Sequence, residues 1–378
     1  MDSNEMPGFV CATAESSLVT TTGNGQISVV SRAQAWIRDR WVPFRSEVLE
    51  QAEEKLLGPA VLLELRSFVR QQYVPVLNGT CRLWTTVVSS RSPGDDYSSR
   101  TPLVLLHGLG GGGALWMRNF DALAAHRVVY AIDVLGFGRS SRPSFGNDDI
   151  LAEQQWVQSL EDWRRYVKLD KITLLGHSLG AYIASAYALE HPDFVNHLIL
   201  ADPWGFPAKP VDQETALSTT LPTWIRIVSR LFSQLSPLYV LRVAGPFGPS
   251  LIRRIRPDIG KKFFDDSERQ QLIFDYIYHC NAQLPSGEDA FQLISIPFAW
   301  AKRPMVDRLP LIRRNFPITF IYGSRSWTDP DAGYLVQKQL RHRCPVRVEI
   351  MRNSGHHVYT DQADSFNELI NEALAFTP

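Results

Sequence analysis

The 378-residue chain has few cysteines, no excess of charge and no long apolar run. Its four cysteines form no CxxC pair and match no zinc-ligand spacing, which predicts reduced thiols in a reducing compartment and no metal site. Lys and Arg together number 39, as do Asp and Glu, so no net field indicates a nucleic-acid partner. No stretch of about 18 apolar residues occurs, so no membrane-spanning helix is expected. The N-terminus, with Asp2 and Glu5, is a poor secretory signal.

Short apolar runs that alternate with helical patterns make up most of the chain. Short runs of this kind occur at 103–106, 128–133, 172–176, 198–202, 318–322 and 346–350, and most of them are continuous and apolar, as is typical of parallel strands buried on both faces. Helical patterns separate them, for example at 115–125, 153–168 and 181–191. This order predicts an α/β protein with a doubly wound, mostly parallel sheet.

Two regions depart from that alternation. Residues 46–73 carry apolar side chains at helical intervals, whereas 82–88 alternate like a strand. Between 203 and 303, helical patterns and prolines replace the strands, which predicts a helical cap over the carboxyl edge of the sheet. The predicted organisation is a flexible tail at 1–30, a membrane-contacting helical segment at 31–78, a core at 79–202 and 304–378, and the cap at 203–303.

A G-x-S-x-G motif lies at Gly176-His177-Ser178-Leu179-Gly180. It follows an apolar run and precedes a helical pattern, which is the strand-turn-helix context that the motif requires. The glycines leave room for a tight turn that exposes the Ser178 hydroxyl at a helix N-terminus, where the dipole favours developing negative charge. We therefore predict that Ser178 is the nucleophile of an α/β-hydrolase, against the alternative of an ordinary glycine-rich turn.

A serine nucleophile needs a base and an acid, which follow it in this fold in the order Asp or Glu, then His. His356 and His357 come after the last apolar run, and we predict the first of them as the base. We predict Asp329, after the preceding run, as the acid. His357 and Asp331 are alternatives. Asp202 is another possible acid position, which we interpret instead as the entry to the cap.

An oxyanion hole needs two backbone N–H groups. We predict those of Leu179, directly after the nucleophile, and of Leu109, in the glycine-rich loop 107–113. That loop also fits G-x-G-x-x-G, a dinucleotide-binding pattern. Because the elbow and the terminal histidine explain the same glycines, we expect neither a cofactor nor a metal.

Five segments give the chain a resemblance to a known family: DVLGFGRSSRP at 133–143, DPWGFP at 202–207, LRVAGPFGP at 241–249, YIYHCNAQ at 276–283 and HHVYTD at 356–361. From Trp36 onward the chain resembles the α/β-hydrolase-domain subfamily that contains a lysophospholipase acting on N-acyl phosphatidylethanolamines and a lipid-droplet co-activator of adipose triglyceride lipase. The cap segments are far more specific than the general hydrolase motif. The resemblance implies a triad of Ser178, Asp329 and His356.

The two branches of that subfamily differ at the nucleophile, where the co-activator carries Asn. Ser178 therefore predicts an enzyme, a serine hydrolase of phospholipids or lysophospholipids in lipid homeostasis. Arg325 and Gly355, however, resemble the co-activator branch. A non-catalytic co-activator at the lipid droplet, with a triglyceride lipase as its partner, is therefore an alternative.

The subfamily also carries an H-x4-D signature, which here runs from His356 to Asp361. It implies lysophosphatidic acid acyltransferase activity as a further alternative. Because this spacing is common by chance and the histidine is already predicted as the base, we interpret Asp361 as a helix-terminal residue with no role in catalysis.

Aromatic and basic side chains predict contact with a lipid surface. Trp36 and Trp41 stand among arginines, and Arg253, Arg254 and Arg256 lie in the predicted cap. Positive charge beside apolar surface suits phosphate and acyl chains, although solvated arginines on a surface helix are the alternative. We expect a phospholipid or lysophospholipid substrate and a membrane or lipid-droplet surface as partners, and no nucleic acid. The expected location is cytoplasmic, peripherally on droplets or membranes, with mitochondria as an alternative.

Overall fold

The fold was obtained as a computed structural model, which describes residues 46–57, 67–90, 100–209, 238–296 and 300–375. The strands in these ranges are β1 (Ser67–Val76), β2 (Cys81–Ser90), β3 (Leu103–Leu106), β4 (Val129–Ile132), β5 (Ile172–His177), β6 (Val195–Ala201), β7 (Ser295–Ile296), β8 (Trp300–Ala301), β9 (Ile318–Gly323) and β10 (Val346–Met351). The helices on the amino-terminal side of β6 are α1 (Ser46–Leu56), α2 (Phe120–Ala124), α3 (Asp149–Tyr166) and α4 (Leu179–Glu190). Those that follow are α5 (Tyr239–Ala244), α6 (Gly248–Ile255), α7 (Pro257–Phe263), α8 (Ser267–Asn281), α9 (Ser286–Ile294), α10 (Met305–Arg308), α11 (Asp331–Leu340), α12 (Val358–Asp361) and α13 (Ala363–Ala375).

Eight strands form one sheet in the order β1-β2-β4-β3-β5-β6-β9-β10. Strands β4 to β10 of this order pair in parallel, whereas β1 and β2 join the edge in antiparallel fashion. Every residue of β3, β5 and β9 is buried, as expected for strands covered by helices on both faces. The predicted doubly wound, mostly parallel sheet is confirmed.

The helix predicted over 46–73 is wrong in its second half. Helix α1 ends at Leu56, and residues from Ser67 onward form the edge strand β1. Its partner is β2, in a register that pairs Ser67 with Ser90 and Val76 with Cys81. Antiparallel pairing supplies the backbone hydrogen bonds that a helix would otherwise provide. The strand predicted at 82–88 is confirmed within β2.

A mostly helical insertion lies between β6 and β9, where the cap was predicted. Its described part contains α5 to α9 and, unlike the prediction, a two-stranded ribbon of β7 and β8. The side chain of Arg142, on the loop after β4, anchors this insertion by donating to the carbonyl oxygens of Leu284 (2.7 Å) and Cys280 (2.8 Å). The insertion is therefore fastened to the loops at the carboxyl edge of the sheet.

The carboxyl edge of the sheet gathers every loop that the sequence singled out. Parallel strands β3, β5, β6, β9 and β10 all end at this edge, which is where ligands bind in open α/β sheets. The loops after them contain the glycine-rich segment, the G-x-S-x-G elbow, Asp202, Asp329 and the two histidines. Topology alone therefore brings the predicted site residues into one neighbourhood.

Candidate active site

Ser178 occupies a strained turn between β5 and α4. Its backbone has φ 53° and ψ −117°, a region that residues with a Cβ rarely adopt. The turn is possible because two flanking positions have no side chain. A Cβ on Gly176 would lie 2.4 Å from the Gly180 carbonyl oxygen, and one on Gly180 would lie 2.4 Å from the Leu106 carbonyl oxygen. The Ser178 N–H donates to the Ala201 carbonyl at 3.1 Å, which ties the elbow to the end of β6.

His356 lies within hydrogen-bond distance of that serine. Its Nε2 is 3.1 Å from Ser178 Oγ, and its Nδ1 is 2.5 Å from Asp202 Oδ2. A carboxylate can only accept, so Nδ1 carries the proton and Nε2 is free to accept the serine proton. The structure thus brings together the predicted nucleophile and base, and it fixes the tautomer that a general base needs.

The carboxylate beside His356 is Asp202, and this corrects the predicted pairing with Asp329. Asp202 is fully buried at the end of β6, and its Oδ1 accepts the Gly323 N–H at 3.0 Å. The Ser326 hydroxyl donates to its other oxygen. Three donors around one buried carboxylate, from Gly323, Ser326 and His356, hold it in a single orientation.

Asp329 has a different environment. It is exposed, and its Oδ1 accepts the N–H of Asp331 at 2.9 Å, at the start of α11. An aspartate in this position satisfies a backbone donor at a helix N-terminus. Asp331 is exposed as well. The sequence signal that could have favoured Asp202 was its place directly after β6, a position that we had interpreted as the entry to the cap.

The glycine-rich loop after β3 packs against the elbow. A Cβ on Gly108 would lie 2.8 Å from His177 Nδ1 and 3.0 Å from Ser178 Cβ, so only glycine allows this approach. The predicted oxyanion residue Leu109 follows directly. Leu179 is the first residue of α4, so its N–H has no acceptor within the helix. Both predicted amides therefore lie on segments that adjoin the nucleophile.

Residues of the insertion and of the loops hold this arrangement in place. Asn281, at the end of α8, donates from Nδ2 to the Gly110 carbonyl at 2.8 Å, where Gly110 has a φ of 71°. His177 donates from Nε2 to the His356 carbonyl at 2.9 Å, and burial keeps the pKa of His177 well below its ordinary value. Sequence reasoning missed both residues, because His177 occupies a variable position of the G-x-S-x-G motif and Asn281 belongs to no catalytic motif.

His357, the alternative base, is packed among aromatic rings, and its ring centroid lies 5.6 Å from that of His356. Its ring lies 5.4 Å from that of His177 and 6.1 Å from that of Tyr359, centroid to centroid. Burial, followed by the positive charge of neighbouring groups, keeps the pKa of His357 well below its ordinary value. A neutral, packed histidine agrees with the alternative interpretation of this residue as a neighbour of the base.

Of the two residues that resemble the co-activator branch, Gly355 lies on the loop that carries the base, and Arg325 lies on the loop after β9 and bonds to that segment. Arg325 is exposed, and its Nη2 donates to the Asn353 carbonyl at 2.7 Å, while its N–H donates to the Ser354 carbonyl at 2.9 Å. Gly355 donates its N–H to Asp361 Oδ2 at 2.7 Å. A regulatory role for Arg325 and Gly355 stays a prediction.

Some of the predicted lipid-contacting residues lie in the part of the chain that the structure describes, and others lie outside it. Arg253 and Arg254 are exposed at the end of α6, whereas Arg256 forms two hydrogen bonds of 2.9 Å with Asp258. Trp36 and Trp41 lie outside the described residues, as does the segment 221–232. Within the ranges that the structure covers, no helix is long and apolar enough to cross a membrane. In the same ranges, no three His, Cys, Asp or Glu side chains are grouped to hold a metal ion.

Comparison with known proteins identifies relatives over most of the chain. A sequence model described as alpha/beta hydrolase fold matches residues 101–363. The 1-acylglycerol-3-phosphate O-acyltransferase ABHD5 of Mus musculus is 45% identical over 326 residues, which are 86% of this chain and 88% of that protein. The (lyso)-N-acylphosphatidylethanolamine lipase of Homo sapiens is 42% identical over 341 residues, which are 90% of this chain and 96% of that protein.

Solved structures agree at the level of the fold. A membrane phospholipase A, described as a bacterial virulence factor, superposes with a TM-score of 0.58 at 18% identity and covers 92% of this chain and 95% of its own. The carboxylesterase CesB of Bacillus subtilis gives a TM-score of 0.56 at 15% identity and covers 87% and 98%. The chain belongs to the alpha/beta hydrolase fold family, in the group that includes the (lyso)-N-acylphosphatidylethanolamine lipases and the ABHD5 proteins.

Proposed function

We propose that this chain is a serine hydrolase that cleaves an acyl ester of a phospholipid or lysophospholipid. The observation that carries the proposal is the unbroken hydrogen-bond chain from Ser178 through His356 to Asp202, with contacts of 3.1 and 2.5 Å. The lipid substrate is supported by the relatives at 42% and 45% identity, whose names both specify glycerophospholipid chemistry.

The reaction follows from the direction of these hydrogen bonds. Ser178 Oγ attacks the ester carbonyl carbon while its proton moves to His356 Nε2, and Asp202 stabilises the imidazolium that forms. The bond to the alcohol then breaks as His356 returns that proton to the leaving oxygen, and the acyl group remains on Ser178. Water, deprotonated by His356, attacks the acyl carbon, and Ser178 leaves with the proton as the fatty acid departs.

The negative charge of both tetrahedral intermediates needs donors beside the elbow. We assign the N–H groups of Leu109 and Leu179 to this role. Leu109 directly follows Gly108, which packs against Ser178, and Leu179 is the first residue of α4. The dipole of α4 adds to their effect, since its positive end lies at Leu179. Removing one such donor typically lowers kcat by about 10²–10³-fold.

Acyl transfer at the same serine is a second candidate. It is favoured by the 45% identity to a protein named 1-acylglycerol-3-phosphate O-acyltransferase. Here an acyl ester or thioester donor would acylate Ser178, and the hydroxyl of a lysolipid would replace water in the second step. That hydroxyl would give its proton to His356 and take the acyl group, which leaves Ser178 protonated again.

Contact with a lipid surface would bring a poorly soluble substrate to this site. On the insertion, Phe247 is 69% and Ile255 is 63% exposed, and both lie near the exposed Arg253 and Arg254 along the chain. Apolar side chains beside arginines suit an anionic interface. Co-sedimentation of the full chain with phosphatidylserine-containing vesicles, compared with the Phe247→Ser variant, tests this contact. Equal sedimentation of the two proteins would exclude a role for Phe247.

The decisive experiment compares the wild type with Ser178→Ala. We expect a fluorophosphonate probe to label only the wild type, and mass spectrometry to detect fatty acid released only by the wild type from lyso-N-acylphosphatidylethanolamine in vesicles. Ser365→Ala, which changes an exposed serine on α13, is the matched control and should behave as the wild type. Adding lysophosphatidic acid and a labelled acyl donor measures transfer in the same tubes. Equal labelling of wild type and Ser178→Ala would remove the central claim.

A further inference from the structure

Asp361 is the acidic residue of the H-x4-D spacing, and its carboxylate connects two parts of the molecule. Its Oδ2 accepts the N–H of Gly355 at 2.7 Å, and its Oδ1 lies 2.7 Å from Lys262 Nζ. Gly355 directly precedes His356, whereas Lys262 belongs to α7 of the insertion. Both ring nitrogens of His356 are already taken by Ser178 and Asp202. Asp361 therefore acts on the backbone beside the histidine, not on its imidazole.

The segment that carries His356 is short and is held on both sides. β10 ends at Met351 and α12 begins at Val358. On one side of His356 the Gly355 N–H donates to Asp361, and on the other the His356 carbonyl accepts from His177 at 2.9 Å. A hydrogen bond to a carboxylate is about twice as strong as one to a neutral acceptor. Asp361 is thus the charged anchor of this segment.

The other oxygen of Asp361 faces the insertion. Lys262 Nζ also lies 3.2 Å from Asp258, but two bonds from Arg256 already hold that carboxylate. The Arg118 side chain, from the core, donates to the Lys262 carbonyl. The side chains of Lys262 and Asp361 are only 16% and 11% exposed, so solvent screens their pairing less than it screens a surface ion pair. The end of α7 is therefore fastened to the core at this point.

We propose that Asp361 is a positioning residue for His356, and that its ion pair with Lys262 makes this positioning depend on how the insertion is seated. The inference rests on the proposed function, because it assigns a role within that catalytic site. The H-x4-D spacing then has a geometric origin. The single turn of α12 brings the carboxylate back to the N–H that precedes the histidine.

The test compares five variants of the full chain, one of which is a double variant that combines Asp361→Asn with Lys262→Met. Asp361→Ala removes both contacts. Asp361→Asn keeps an acceptor for Gly355 but removes the charge opposite Lys262, and Lys262→Met removes only the cation. Asp364→Ala, which changes an exposed carboxylate three residues further along, is the matched control. For each protein, kcat and KM are measured on p-nitrophenyl butyrate, with active sites counted by fluorophosphonate titration and unfolding followed by circular dichroism.

We expect Asp361→Ala to lower kcat per titrated site by about 10–100-fold, since a misplacement on the order of 1 Å costs about that much. KM should stay within about two-fold, because the residue does not touch the substrate. Asp361→Asn should recover part of kcat, because it keeps the acceptor for the Gly355 N–H but loses the ion pair with Lys262. Lys262→Met should resemble Asp361→Asn, and the double variant should be no worse than either, because both changes remove the same ion pair. Asp364→Ala should match the wild type.

Two results would overturn the inference while the wild type is active. One is that Asp361→Ala keeps the wild-type kcat per titrated site, whether or not its unfolding temperature falls. Asp361 would then have a structural role only. The other is a loss of labelled acyl transfer to lysophosphatidic acid with hydrolysis intact, which would make Asp361 an acyltransferase residue. If the wild type itself neither reacts with fluorophosphonate nor turns over ester, the proposed function fails, which is a distinct outcome.

Discussion

Replacing Asp202 by Asn separates the acid in the structure from the acid that the sequence predicts. The Asn carbonyl can still accept the Gly323 N–H, and Asn tolerates the φ of 47° at this position. Its NH₂ group, however, would face His356 Nδ1 where the carboxylate now accepts at 2.5 Å. Because an amide nitrogen only donates, the imidazole would be held with Nδ1 as acceptor and the proton on Nε2.

An imidazole with its proton on Nε2 cannot take the proton of Ser178, so we expect a large loss of kcat. Replacing the acid of such a triad by its amide lowers kcat by about 10⁴-fold, which is about 5.5 kcal/mol of transition-state stabilisation. Asp202 is fully buried, so water cannot take over its role. Asp329→Asn should change kcat by less than about two-fold, because Asn caps a helix as well as Asp does.

The assay is the steady-state hydrolysis of p-nitrophenyl butyrate, with the rate of fluorophosphonate labelling as an independent measure of Ser178 reactivity. Thermal unfolding by circular dichroism shows whether Asp202→Asn retains the fold. The reasoning is refuted if folded Asp202→Asn keeps more than about a tenth of wild-type kcat while Asp329→Asn loses about 10³-fold or more. That outcome would show that Asp329, and not Asp202, is the acid of the triad.

Three further predictions follow from single contacts. Asn281→Ala should lower kcat/KM on the same ester by about 10-fold, because the Gly110 carbonyl loses its hydrogen-bond donor. The glycine-rich loop 107–113, which carries Leu109, then loses its contact with α8. Gly180→Ala should abolish fluorophosphonate labelling and lower the unfolding temperature, since the new Cβ would meet the Leu106 carbonyl oxygen at 2.4 Å. Burial lowers the pKa of His197 from 6.5 to about 4, so the unfolded chain takes up this proton first as the pH falls. Urea unfolding should therefore show the wild type losing about 3 kcal/mol more than His197→Gln between pH 6.5 and 4.

The fold could be predicted because most strands of the sheet are buried on both faces, which leaves a clear pattern in the sequence. Strands such as β3 and β9 are buried throughout and mostly apolar, since helices cover both faces, and this pattern is visible in the sequence. The edge strand β1 has no such pattern. Its burial alternates irregularly, and its pairing with β2 is a contact between segments that the sequence does not reveal. The prediction therefore continued the helix of α1 too far.

The nucleophile and the base could be predicted from the sequence, whereas the acid could not. The G-x-S-x-G elbow and the histidine after the last strand each have a local signature. The acid has none, since Asp202 and Asp329 follow adjacent strands that end at the same edge. The choice depends on the positive φ of Asp202 and on donors from Gly323 and Ser326, which are tertiary features.

The insertion does more than cover the site, because it contacts both loops that the chemistry needs. Asn281 of α8 holds the oxyanion loop at Gly110, and Lys262 of α7 holds the base segment through Asp361. These two helices also pack against each other. A shift of the insertion relative to the sheet must therefore break these bonds or carry both loops with it. In the proposed mechanism the oxyanion donors and the general base act in the same step, so we expect such a shift to weaken both contributions at once. We therefore infer that the seating of the insertion affects the geometry at Ser178 from a distance, through Asn281 and Lys262, without any residue of the insertion reacting.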